Sequence, residues 1–149
     1  MIDGVRVVPL QRIPDERGVV AHMLRSSDEH FLGFGEIYFS TVYPGVVKGW
    51  HRHFPATLNY VCIVGEAKVV LCDRREGSST YDEVMELFIG RSSYSLIQVP
   101  PNIWNGFKAV GSEPAMIANC CTHAHGEFES ERLDPFDNDL PYDWDLRQH

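Results

Sequence analysis

The chain has 149 residues, 44% of them hydrophobic, and a formal net charge of −8, a length that suits one packed domain over residues 1–149 and is short for two. The acidic balance, without a basic stripe, argues against nucleic-acid binding. No run approaches the roughly 20 apolar residues of a membrane helix, and Met1-Ile2-Asp3-Gly4 lacks a basic region followed by an apolar run, so a cytoplasmic protein with no membrane attachment is expected.

Val5-Arg6-Val7-Val8 reads as a strand that leads to the turn Pro14-Asp15-Glu16-Arg17-Gly18, which combines a fixed φ, side-chain bonding and a permissive backbone. A short helix is expected around Ser27 to Phe31, capped by Ser27. Gly35 to Tyr43 is rich in β-branched and aromatic residues and stops at Pro44-Gly45, as a strand would. In the next run, Gly45-Val46-Val47-Lys48-Gly49-Trp50-His51-Arg52-His53, alternation places both imidazoles on one face. Such a pair can share a pocket, a proton or a metal; it also occurs as a solvated or packed pair.

Further strand-length runs are Leu58 to Val64, Lys68 to Asp73, Val84 to Ile89, Tyr94 to Val99 and Ala115 to Thr122, each bounded by turn residues. Period-two alternation groups Leu58, Tyr60 and Cys62 on one face, and Asn119, Cys121 and His123 on another. A second His-x-His follows at His123 and His125. Many short strands with little helix imply an all-β sandwich or barrel. Cys62, Cys72, Cys120 and Cys121 lie in apolar runs and read as buried reduced thiols. From Glu127 to His149, eight acids stand against Arg132 and Arg147, an acidic tail of net charge −6. The rest is near neutral, so arginines such as Arg17 or the lysine Lys48 could make a pocket locally basic for a phosphorylated ligand.

The spacing of Gly45, His51, His53, Gly65 and Pro100-Pro101-Asn102-Ile103-Trp104-Asn105 resembles the two signature blocks of a cupin. More closely, Asp15-Glu16-Arg17-Gly18, Lys48-Gly49-Trp50-His51, Val64-Gly65-Glu66, Asp73-Arg74-Arg75 with Ser78-Ser79-Thr80-Tyr81, Val99-Pro100 to Phe107, and Asp134-Pro135 to Trp144 resemble motifs of the dTDP-4-dehydrorhamnose 3,5-epimerases across almost the whole chain. The resemblance implies an all-β cupin, a double-stranded β-helix or jelly-roll barrel. It also implies a homodimer whose N-terminal strand is lent to the partner, no cofactor, and a role in dTDP-rhamnose or polysaccharide biosynthesis. The reaction implied is epimerisation of a nucleotide-activated 4-keto-6-deoxy sugar by proton transfer beside the ketone, which acidifies its neighbouring C–H bonds.

His51 occupies the position of the family's catalytic base. Leu58 and Asn119 stand where the epimerases hold a lysine and a tyrosine, and Asn105 where they hold a histidine. Tyr60 is the candidate acid, on the face shared with Leu58. Candidate substrate contacts are Arg17, Lys48, His53, Asn59, Asn105, Asn119 and His123. His22 replaces an acid, which leaves the nucleotide open. Two alternatives accompany this reading: a sugar-nucleotide-binding cupin without turnover, motivated by Leu58 and Asn119, and a metal-dependent cupin whose ligands would be His51, His53 and His123.

Overall fold

A computed structural model of the protein describes residues 1–145; Arg147 and His149 of the acidic tail lie outside the described residues. Two five-stranded antiparallel sheets face each other as a jelly roll. Across the first run β1 (Arg6–Pro9), β9 (Ser95–Val99), β6 (Leu58–Val64), β11 (Ala115–Cys121) and β4 (Glu36–Val42). Across the second run β12 (Glu129–Arg132), β5 (Val47–Phe54), β10 (Ile103–Ala109), β7 (Glu66–Asp73) and β8 (Val84–Gly90). The turn at Arg17 joins β2 (Arg12–Asp15) to β3 (Gly18–Ala21) in a separate hairpin.

Alternation decides what meets between the sheets. Leu58 and Cys62 of β6, Ile97 of β9, and Ile117 and Cys121 of β11 pack against Val69 and Leu71 of β7 and Ile103 and Phe107 of β10. Removing that apolar surface from water is the main favourable contribution to folding. The other faces are covered too, which is why several strands read as continuous apolar runs. On the first sheet, Val61, Leu96 and Ala118 are buried, and Gln98 Nε2 donates to His30 O at 2.6 Å, tying down the segment that precedes β4. The four cysteines are free and buried.

On the second sheet, Trp50, Val70, Cys72 and Trp104 form a cluster with Leu140 and Trp144. Within the acidic C-terminal run, residues 129–132 form an edge strand and residues 133–144 a strap across that face. Lys68 Nζ donates to Tyr142 Oη at 2.6 Å, and Lys108 Nζ to Trp144 O at 3.1 Å. Beneath the strap β5 and β10 approach closely at Gly49 and Gly106. A Cβ on Gly106 would lie 3.0 Å from Trp144 and 3.1 Å from Gly49 Cα, so a larger residue there forces the strap or strand to move.

The expected helix around Ser27 to Phe31 is absent; the segment forms successive turns. Asp28, rather than Ser27, holds it, by accepting from the Arg25 amide at 2.8 Å, and Phe31 N closes a turn on Asp28 O at 3.0 Å. No helix among the described residues is long and apolar enough to cross a membrane.

Candidate active site

Two rows of side chains face each other between the sheets. In the first sheet, Tyr60, Asn119 and Tyr38 are direct cross-strand partners on β6, β11 and β4. In the second, Arg132, His51 and Asn105 are partners on β12, β5 and β10. A bulge in the β5–β10 pairing sets Asn105 opposite His51 and Phe107 opposite Lys48, which turns Lys48 to the same side as His51. The rows enclose a cavity of about 130 Å³ lined by Tyr38, Ser40, Lys48, His51, His53, Tyr60, Phe107, Ile117, Asn119, His125 and Arg132. That is room for several water molecules, and hence for polar ligand atoms.

The rows are stapled at their closed end. Tyr60 Oη donates to Asn105 Oδ1 at 2.7 Å, while Asn105 Nδ2 donates to His51 O at 2.9 Å. Burial drives the Tyr60 hydroxyl well above its usual range. At the open end Asn119 Nδ2 donates to Tyr38 Oη at 2.9 Å, and Lys48 Nζ to Ser40 Oγ at 2.9 Å.

Burial lowers the affinity of His51 for a proton, and the positive charges of Arg132 and Lys48 lower it further. His53 is pushed down to about 4 by burial and by His51, His125 and Arg132. Both imidazoles are therefore neutral near pH 7, the form in which histidine accepts a proton. Their rings stack with centroids 6.4 Å apart; His53 Nδ1 meets Ser130 Oγ at 2.8 Å.

Of the residues singled out from sequence, His51, His53, Lys48, Tyr60 and Asn119 come together around the cavity. Asn105 stands just behind, bonded to Tyr60. Asn59 points to the opposite face of its sheet, where it donates to Cys120 O at 2.9 Å and accepts from Gln98 at 3.0 Å. His123 turns to Thr122 Oγ1, 2.9 Å away, and His125 takes the place at the cavity. Arg17 lies on the exposed hairpin, paired with Asp15 at 2.6 Å. Leu58 joins the apolar core. Among the described residues no three His, Cys, Asp or Glu side chains converge as a metal site, so the proposed set of His51, His53 and His123 is not assembled.

Tyr38, Ser40 and Arg132 escape the sequence reading. A signal existed in β4, where Glu36, Tyr38 and Ser40 alternate with Ile37 and Phe39. Here Tyr38 and Ser40 face the cavity, while Ile37 and Phe39 are 47% and 59% exposed on the outside.

The motif Asp73-Arg74-Arg75 with Ser78 and Thr80 builds structure below the site. The fully buried Asp73 carboxylate accepts from Arg75 Nε and Nη2 at 3.0 Å each, and from Ser78 Oγ and Thr80 Oγ1 at 2.6 Å each. Burial opposes its charge, but these donors outweigh burial and hold the carboxyl well below the usual range. Arg75 also donates to Asp3 O at 2.8 Å, anchoring the N-terminus.

Residues 1–149 match the dTDP-4-dehydrorhamnose 3,5-epimerase family over their whole length. A probable low-salt glycan biosynthesis epimerase of Haloferax volcanii is 38% identical over 144 residues, which cover 95% of this chain and 89% of that protein. The crystal structure of a dTDP sugar isomerase from Desulfovibrio desulfuricans G20 superposes with a TM-score of 0.89 at 42% identity, covering 96% of this chain and 92% of the other. That of NovW, a 4-keto-6-deoxy sugar epimerase from the novobiocin biosynthetic gene cluster of Streptomyces spheroides, superposes with a TM-score of 0.82 at 25% identity, covering 97% and 76%.

Proposed function

Because the chain belongs to the dTDP-4-dehydrorhamnose 3,5-epimerase family, we propose that it epimerises a nucleotide-activated 4-keto-6-deoxy sugar, with His51 as the base. The observation that carries this reading is the composition of one cavity: a neutral imidazole, the cations Lys48 and Arg132, and hydroxyls from the facing sheet. Removing a proton beside a ketone leaves an enolate, whose oxygen needs a donor or cation already in place. Lys48 and Arg132 supply that charge where Leu58 does not. His53, held neutral, contacts the sugar or sets the position of the neighbouring ring. The named chemistry of the relatives, a 4-keto-6-deoxy sugar epimerase and a glycan biosynthesis epimerase among them, supports the substrate class and a place in polysaccharide or glycan assembly.

Arg17 is 87% exposed on its hairpin and does not line the cavity that holds His51. With Ile13, Val19 and Val20 exposed on the same hairpin and Ile37 and Phe39 on β4, this supports a homodimer in which the hairpin docks on a second copy and brings Arg17 to the nucleotide phosphates.

The test is incubation with dTDP-4-keto-6-deoxyglucose in heavy water. Deuterium incorporated next to the ketone supports the epimerase. If the ligand raises the melting temperature with no exchange, the protein is instead a sugar-nucleotide binder without turnover, the reading that Leu58 and Asn119 suggested.

A further inference from the structure

Two tyrosines border the cavity, and their hydroxyls are in different states. We propose that Tyr38 is the residue that delivers a proton to the sugar on the face opposite His51, with Asn119 as its positioning residue. This rests on the epimerase reading above.

Four observations carry it. First, His51 and Tyr38 belong to opposite sheets and line one cavity, so a sugar ring held between them meets a base on one face and an acid on the other. Second, the Tyr60 proton is already donated, to Asn105 Oδ1 at 2.7 Å, in a residue only 4% exposed, whereas Tyr38 is 37% exposed at the open end. Third, the orientation of Asn119 is fixed. Its Oδ1 accepts from the Asn59 amide at 3.1 Å, so the Nδ2 group must face Tyr38, 2.9 Å away. Tyr38 therefore accepts from Asn119, and its own proton meets the Cys121 sulfur, a weak acceptor from which it is more readily given than the Tyr60 proton from Asn105. The same donor stabilises the phenolate left behind, since a hydrogen bond to the charged form favours it. Fourth, the adjacent Cys121 thiol is pushed up to about 12, chiefly by burial, and does not compete as an ionised group.

The proton balance closes. A ring nitrogen of His51 takes the proton from carbon, and the C–H electron pair becomes the enolate. The Tyr38 O–H bond breaks and its proton joins the same carbon from the other face, inverting it. The imidazolium proton then returns through solvent to the phenolate, and the enzyme is restored.

The experiment separates abstraction from inversion. Wild type, Tyr38→Phe, Tyr60→Phe and His51→Asn are each incubated with dTDP-4-keto-6-deoxyglucose in heavy water, and deuterium content and product configuration are read together. Tyr38→Phe is expected to keep exchange through His51 but to lose inversion by about 10²-fold or more, while Tyr60→Phe inverts within a few fold of wild type. Inversion by Tyr38→Phe at the wild-type rate overturns the assignment, as does loss of exchange together with inversion in a variant whose melting temperature is unchanged. Absence of exchange in the wild type is the distinct result that refutes the epimerase reading itself, and the assignment with it.

Discussion

Tyr60 and Asn105 join the two sheets through a single buried hydrogen bond of 2.7 Å, and the amide that receives it also holds the backbone of His51 at 2.9 Å. The bond thus has a structural role next to the reacting groups. Tyr60→Phe leaves Asn105 Oδ1 without its donor in a buried place. A loss of about 1–3 kcal/mol is expected in urea denaturation, with inversion kept within a few fold. Unchanged stability would show that the two side chains do not depend on each other.

His53 ties the site to pH. In the unfolded chain an imidazole holds its proton up to about pH 6.5, whereas the folded one releases it at about 4. The unfolded chain binds more protons between those values, so stability is full above about pH 6.5 and falls as the pH drops toward 4. His51 is shifted in the same direction, and the acidic limb of the rate profile should lie below pH 6.5. Titration of the ring carbons by NMR checks both; an ordinary midpoint for His53 would contradict the packing around it.

Asp73 anchors the turn and the N-terminus through Arg75, Ser78 and Thr80. Asp73→Asn removes the charge and leaves the guanidinium with a neutral partner, which should cost about 3–5 kcal/mol. The measurement is the denaturation midpoint, and a change below about 0.5 kcal/mol would place the anchor elsewhere.

Arg17 carries the opposite expectation. Its pair with Asp15 is exposed, and such pairs contribute about 0–1 kcal/mol. Arg17→Ala should leave the melting temperature in place while raising KM about tenfold or more, the loss of a charge-assisted phosphate contact. An unaltered KM would remove Arg17 from the nucleotide site.

The sequence was informative where alternation alone sets the geometry. His51 and His53 share a face as the period of two requires, and Leu58 to Val64 forms a strand with those bounds. Lys48 breaks that period: only the bulge opposite Asn105 and Phe107 turns it toward His51, and a bulge depends on tertiary pairing. β12 was hidden because Glu129 to Arg132 carries charge at almost every position; as an edge strand it pairs through its backbone with β5 and needs no apolar face. Tyr38 was missed for a related reason. The resemblance expects a tyrosine at position 119, and the tyrosine stands on the neighbouring strand, directly across from Asn119. The helix expected at Ser27 failed because Asp28 offers the Arg25 amide a closer local partner.

As the proposed base, His51 opens the reaction. Deuterium uptake beside the ketone of dTDP-4-keto-6-deoxyglucose should be measured by NMR for the wild type and for His51→Asn at equal protein concentration. The prediction is incorporation by the wild type and a fall of about 10²–10⁴-fold in the variant, with its melting temperature preserved; exchange undiminished in His51→Asn would contradict it.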